Sequence, residues 1–412
     1  MSAVLKPIRD FEDNFDPFIE DEYLFGNALN PYPQIAELRK RGPVLEGSYR
    51  QFMGLPEDLT TRHARHYTIT AYRAIEHIFS NPQLFSNGAY RFNLGISFGR
   101  SVSTMDAPEH TQFRKIFQRA FLPQIVAKWG DTIVDPVVSD LMDQFIHTGR
   151  ADLVQQFTLH YPFHIIYKQL ALPLEDIKVF HKLAIAQTVT AVDIEHGTLA
   201  SRNLGEYFAT LIEQRRRNPG SDLVSLLLQA NDGNLPEEVL ISFLRQLINA
   251  GGDTTYRATS VLLTGLLSNP DQLDAVKRDR SLIPQAIEEA LRWDGPVVSA
   301  ARMVAVATTL EDVELPAGVH LDVLSGSANR DPEFFPNPDK FDIFRKPAYR
   351  HFSFAYGPHV CIGQHLARVE MTRALNAILD RLPNVRLDPD KDAPEIRGIM
   401  MRVPKHIHVR FD

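Results

Sequence analysis

A second cysteine is missing from this 412-residue chain. Its one thiol, Cys361, therefore makes no internal disulfide and builds no multi-thiolate zinc or iron–sulfur centre. Positive charge is in deficit. Forty-four Lys and Arg stand against 51 Asp and Glu, a net charge of −7, which argues against a general binder of phosphate backbones. No apolar run reaches the length of a membrane span, and Met1–Asp13 holds no apolar signal-peptide core. With the lone thiol, this gives the expectation of a cytoplasmic protein. Also missing are a Gly-, Ser- or Pro-rich linker, a charge block, an internal repeat and a low-complexity stretch. One domain over 1–412 is expected. What is present is an ordinary globular composition, 44% hydrophobic and 23% charged.

Cys361 sits in Phe354-Ala-Tyr-Gly357-Pro-His359-Val-Cys361-Ile-Gly363-Gln-His-Leu366-Ala367. Gly357 and Gly363 bracket it, so backbone can approach something large and flat with no Cβ in the way. Beyond Gly363, Leu366, Ala367, Val369, Glu370, Leu375, Ile378 and Leu379 recur at helical spacing. The cysteine thus lies at the mouth of a helix, where N–H groups and the helix dipole favour a thiolate. On these residues alone a nucleophile, an axial metal ligand and an inert buried thiol all remain open.

The N-terminal part is mixed. His66 to Thr70 reads as a short strand, and residues 83–105, rich in Gly, Ser and aromatics, as a long loop. From Glu109 onward apolar residues recur at helical spacing through 131–148, 151–170, 203–216 and 236–267. The last segment is the longest and opens on Pro236-Glu-Glu. Ile283–Trp293 reads as another helix. Beyond Gly295 come strand patterns at Ala305–Thr309 and Val319–Leu324, a Pro-rich coil from Arg330 to Pro347, and a last strand at Ile407–Phe411. The expected class is mainly α, with a small β-rich part.

Inside the long helix lies Ala250-Gly-Gly-Asp253-Thr254-Thr. Two adjacent glycines in mid-helix cost about 1 kcal/mol each against alanine. Something offsets that: a neighbouring helix packed close, or a functional groove. A threonine hydroxyl bonding a carbonyl one turn back loosens the same spot and leaves a hydroxyl and a carboxylate at its edge. Upstream, His110 and Arg114 share one helical face at i,i+4. Glu289 and Arg292 form an i,i+3 pair, a spacing common on helix surfaces.

The pattern Phe354, Gly357, His359, Cys361, Gly363 resembles the haem-binding loop of the cytochrome P-450 superfamily, in its soluble bacterial form. The resemblance runs from the Asp106 helix to the end of the chain; the residues before it match only loosely. It implies haem b (iron protoporphyrin) sandwiched between the long helix and the cysteine loop, with a helix-rich and a small β-rich lobe around it. Cys361 would be the axial ligand. The glycine segment is similar to the family's distal motif, which gives Thr254 a hydrogen bond to dioxygen and Asp253 a proton relay from water. His110, Arg114, Arg302 and His359 match partners of the propionates, and Phe354, Gly363 and Ala250 match positions at the macrocycle. The segment Asn329–Arg345 resembles a meander whose arginine, taken as Arg345, joins Glu289 and Arg292 in a buried clamp.

The activity so implied is mono-oxygenation of an apolar small molecule with dioxygen, terpenoid or aromatic ahead of steroid or fatty acid. A capping loop would contribute Phe92, Leu94, Ile96 and Phe98 to the pocket. Val298, Ser299, Ile399 and Met400 match further lining positions. Gln246 and Asn249 either bond a substrate hydroxyl or carbonyl, or satisfy the helix surface. The chain has no Gly-x-Gly-x-x-Gly nucleotide loop and no cysteine cluster. Electrons would then come from a separate ferredoxin or flavodoxin with its reductase. Arg114, Lys115, Arg119, Lys128, Arg345, Lys346, Arg350 and Arg368 form a basic set suited to an acidic partner. Neither nucleic acid nor membrane is expected as a partner.

Three rivals stand beside this reading. A peroxide-driven peroxygenase keeps the haem, but such enzymes typically replace the acid and alcohol that Asp253 and Thr254 retain. A haem-thiolate protein that binds without turnover is a second. Gly95-Ile-Ser97-Phe-Gly99 fits a serine-hydrolase elbow, which requires a strand before it and a helix after it. His63 with His66, and His406 with His408, lack a third ligand at fitting spacing and are read as incidental rather than as a metal site.

Overall fold

The computed structural model describes residues 5, 7–230, 235–346 and 348–412, with the backbone alone for 20 and 21. The first four residues of the N-terminal segment, Lys6, and Pro347 at the end of the Pro-rich coil lie outside that set.

Pro236 stops the preceding turn and Glu237 and Glu238 face the positive end of the helix they open. That helix, Glu237–Leu267, runs for 31 residues, and from Thr255 onward every side chain on it is buried. A helix buried on all sides belongs inside a molecule, and the Thr259, Ser260 and Thr264 hydroxyls are satisfied by carbonyls one turn back. Helices Tyr161–Leu170, Ile194–Arg217, Ile283–Asp294 and Gln364–Arg381 pack around it. Its N-terminal half joins one core with Phe117, Phe180, Leu204 and Phe208; its C-terminal half joins a second with Val134, Phe157, Ile378 and Ile407.

The β-rich part is a five-stranded sheet in the order Val44–Glu46, His66–Ile69, His320–Val323, Ala300–Val304, Phe85–Ser86. Only His66–Ile69 and His320–Val323 run parallel; the other pairs are antiparallel. A three-stranded sheet places the C-terminal strand His408–Arg410 between Arg150–Asp152 and Arg386–Leu387. The helical expectations over 203–216, 236–267 and 283–293 match the structure within one or a few residues at most ends, as do the strands near 66, 320 and 408.

Four segments differ. The helix expected over 131–148 ends at Met142, and 143–147 are turns. Residues 83–105 are not plain loop. Ser86 caps a helical turn Asn87–Phe92 and Asn93 caps a short helix Leu94–Phe98. The segment 151–170 begins as a strand because Arg150–Asp152 finds its partner at the far end of the chain. The strand expected at 305–309 splits into Ala300–Val304 and Thr308–Leu310.

Candidate functional site

The paired glycines of the long helix have a packing reason. A Cβ on Gly252 would meet the Phe163 ring at 2.5 Å, and one on Gly251 would meet Ile166 at 2.9 Å. Helix Tyr161–Leu170 therefore lies directly on the glycines. Two residues past Gly252, Thr254 Oγ1 donates to the Ala250 carbonyl at 2.7 Å. Asp253 is buried and accepts twice from Arg257 Nε, at 2.9 and 3.0 Å. Burial pushes the Asp253 carboxyl up, and Arg257 pulls it back. The sequence reading missed Arg257, although its i,i+4 spacing to Asp253 was a usable signal.

Cys361 follows a helical turn, Gly357–His359, and precedes Gln364–Arg381. Its N–H donates to the Phe354 carbonyl at 2.9 Å, closing the loop. Gly357 has φ +75°, and a Cβ there would strike the Phe79 carbonyl, so this turn needs glycine. Burial pushes the Cys361 thiol up, opposed by the N–H groups of Gly363 and Gln364 and by Arg114 and Arg368. Beside it, a Cβ on Gly363 would meet only the Cys361 sulfur, at 3.9 Å. The backbone there is a bare floor.

Around this floor the fold gathers His110, Arg114, Arg302 and His359. Arg114 donates to the Val360 carbonyl at 2.6 Å. The rings of His110 and His359 lie 3.9 Å apart. His359 Nδ1 accepts from Asn87 at 3.0 Å, a partner absent from the sequence reading. Arg302 is buried, sits 5.0 Å over the Phe79 ring and donates to the Ala301 carbonyl. Burial and Arg114 hold His110 down at about 4; burial, His110 and Arg302 hold His359 at about 2. His110 Nε2 and Arg114 Nε are buried without a protein acceptor. A flat floor, one sulfur, and at its rim an imidazole and a guanidinium with unsatisfied nitrogens fit a planar dianionic macrocycle with an iron that takes one thiolate.

The clamp has the expected members. Arg292 donates to both Glu289 oxygens at 2.8 Å, and Arg345 Nε reaches both at 3.2 Å. The two guanidiniums also satisfy carbonyls of Asn329, Pro336, Asn337, Pro338 and Lys340, which pins the Pro-rich coil. Asn329 then bonds Ser353 and the Phe352 N–H, carrying that order to the cysteine loop. The Asn329 link was not foreseen.

A cytochrome P-450 family profile matches residues 195–411. The chain is 31% identical over 369 residues to the putative cytochrome P-450 133B1 of Xylella fastidiosa, covering 87% of this chain and 90% of that one. It is 34% identical to vitamin D3 dihydroxylase of Streptomyces griseolus, over 78% of this chain and 81% of that one. The crystal structure of CYP109E1 from Bacillus megaterium in complex with corticosterone superposes with a TM-score of 0.78 at 28% identity, covering 93% of this chain and 98% of that one. The chain belongs to the cytochrome P-450 family. Proteins of this family are mono-oxygenases that bind haem b through a cysteine thiolate.

In this P-450 a cavity of about 670 Å³ lies against Ala250, Asp253 and Thr254. Leu94, Phe98, Gln246, Asn249, Ser299 and Met400 line it as expected. Four expected residues do not. Val298 and Ile399 are buried in a separate core with Tyr32, Ile35 and Leu324. Val298 lies in extended chain, where alternate side chains point opposite ways, so Val297 and Ser299 face the cavity and Val298 turns away. Leu94 and Phe98 share one helical face, leaving Ile96 on the other. Phe92 is 49% exposed and lies edge-on to His320. Gln246 donates to Ser103 at 2.7 Å and Asn249 to the Ala184 carbonyl at 3.1 Å.

The basic set is also smaller than expected. Arg114 and Arg345 are spent on internal bonds, and Arg368 is paired with Glu288 at 2.6 Å. Lys115, Arg119, Lys128, Lys346 and Arg350 remain exposed. Ser97 is no elbow nucleophile. It lies within a short helix, buried, its hydroxyl donated to the Gln187 carbonyl and shared with Thr190. Among the described residues, no helix is long and apolar enough to cross a membrane.

Proposed function

We propose that Cys361 holds haem b in this chain and that the enzyme hydroxylates a largely apolar small molecule in the cavity beside Thr254. The observation that carries this is the convergence of His110, Arg114 and His359 on the loop of the one thiol. When bound, the haem supplies reductive activation of dioxygen, and a thiolate ligand favours O–O cleavage (the chemistry given for this enzyme class in general). Arg114, Arg302, His110 and His359 bind its propionates. An anion there also relieves the two depressed histidines.

Thr254 Oγ1 would hold the proton on the haem side of the long helix once it turns that proton away from the Ala250 carbonyl, and Asp253 would resupply it. Both Asp253 oxygens share the single Arg257 Nε–H, which leaves each of them a lone pair to accept from water. Gln246 and Asn249 position the wall and are bonded to protein.

The cavity is apolar around Leu94, Phe98, Met400 and Met401 and polar at the end formed by Arg50, His66 and Asp322. Arg50 Nη2 is buried there without an acceptor. A substrate with an apolar body, of terpenoid, aromatic or steroid size, and one acceptor group aimed at Arg50 fits both ends. Electrons come from a separate ferredoxin or flavodoxin drawn to the exposed Lys115, Arg119, Lys128, Lys346 and Arg350.

The test is turnover. With a ferredoxin couple, NAD(P)H and a compound that shifts the haem spin state, product should match reductant consumed. Product formed only with hydrogen peroxide would defeat the dioxygen reading.

A further inference from the structure

The sequence sets His406 beside His408 without a third ligand, and the fold supplies one. Strand His408–Arg410 runs antiparallel to Arg150–Asp152 in a register that puts His408 opposite Asp152. His406 Nδ1 lies 2.6 Å from Asp152 Oδ2, and His408 Nδ1 lies 4.0 Å from the same oxygen. All three donor atoms fall within 4.8 Å of one another. The two rings stack with planes 8° apart, and an ion held by both would need one ring to swing about its Cβ–Cγ bond so that the lone pairs meet.

Around a tetrahedral ion with bonds of about 2.0–2.1 Å, donors stand roughly 3.3 Å apart. The 2.6 and 4.0 Å separations lie on either side of that value. The carboxylate is held for the purpose. Asp152 Oδ1 accepts from the N–H groups of Ile407 at 3.1 Å and Val154 at 3.0 Å, leaving Oδ2 toward the rings. His406 is exposed, which gives an ion a way in and water a fourth position. Two imidazoles and one carboxylate suit zinc and its transition-metal neighbours, not magnesium or calcium, which prefer oxygen.

We propose that Asp152, His406 and His408 bind one divalent ion of the zinc class, pinning the C-terminal strand to strand Arg150–Asp152. The site is separate from the haem pocket, and its test does not depend on turnover.

Zn²⁺ is titrated by calorimetry into untagged, haem-loaded, chelator-stripped enzyme. One equivalent should bind. His406→Ala and His408→Ala should each weaken that event about tenfold or more while keeping the haem spectrum. His63→Ala, at an exposed histidine outside the trio, should leave it unchanged. The proposal is overturned if wild type shows no one-to-one event, if the event survives both triad substitutions, or if His63→Ala abolishes it.

Discussion

Thr254 and Glu370 show how much a single side chain decides here. Thr254 Oγ1 is tied to a backbone carbonyl of its own helix, so Thr254→Ala removes a hydroxyl without unseating a neighbouring side chain. Haem content and substrate binding should persist, while reducing equivalents drain to hydrogen peroxide; peroxide release measured against product checks this, and unchanged coupling counts against the relay. Glu370 presents a different case. It is buried in the helix after Cys361, one carboxyl oxygen lacks a partner, and burial pushes its carboxyl well above the usual range. A folded-state pKa raised above the unfolded value of about 4.3 means that the native protein keeps a proton the unfolded chain gives up. Stability from this group is present below about pH 4.3 and is lost as pH rises toward the folded value. Glu370→Gln should therefore gain on wild type as pH climbs from about 4.5 to 8. Urea unfolding at several pH values reads the difference, and a gap that stays constant or reverses contradicts it. The cysteine loop, the His110–Arg114 pair and the Glu289–Arg292 pair were legible in the sequence because each rests on a short fixed spacing, whereas Arg302 and Arg345 entered through the family resemblance. Arg50, Asn87 and Asn329 were not, since their significance comes from partners brought close by folding.

Among the elements, the long helix carries the sharpest energetic choice. Alanine is the better helix former than glycine by about 1 kcal/mol, so Gly252→Ala would stabilise an isolated helix. In the protein the new methyl meets the Phe163 ring at 2.5 Å, and overpacking of that kind costs about 1–3 kcal/mol. The net expectation is a loss of up to about 2 kcal/mol, with a lower denaturant midpoint and an unchanged slope. A gain in stability would show that the helices do not pack on the glycines. The same element logic explains what sequence patterns missed. Periodicity found the helices because their apolar faces repeat locally. It read 151–170 as all helix because the strand Arg150–Asp152 pairs with residues 408–410, far along the chain. Val298 and Ile399 entered the expected pocket through the family resemblance, and a match of positions does not fix which way a side chain faces.

On the scale of the whole molecule, two apolar cores share the long helix, and the Glu289–Arg292–Arg345 network ties the Pro-rich coil to the loop that bears the thiol. Breaking one partner of a buried ion network costs about 3–5 kcal/mol, because the others lose their counter-charge. Glu289→Ala should accordingly lower both the melting temperature and haem retained on gel filtration. A fall in melting temperature with haem fully retained would restrict the network to stability. The account rests on the proposed bond between Cys361 and iron. The carbon monoxide difference spectrum of purified wild type and Cys361→Ser, each with its haem content measured, tests that bond most directly. Wild type should carry one haem per chain and give the thiolate-type spectrum, and Cys361→Ser should lose that spectrum. A wild type without haem, or a Cys361→Ser protein with the thiolate spectrum intact, would contradict the account.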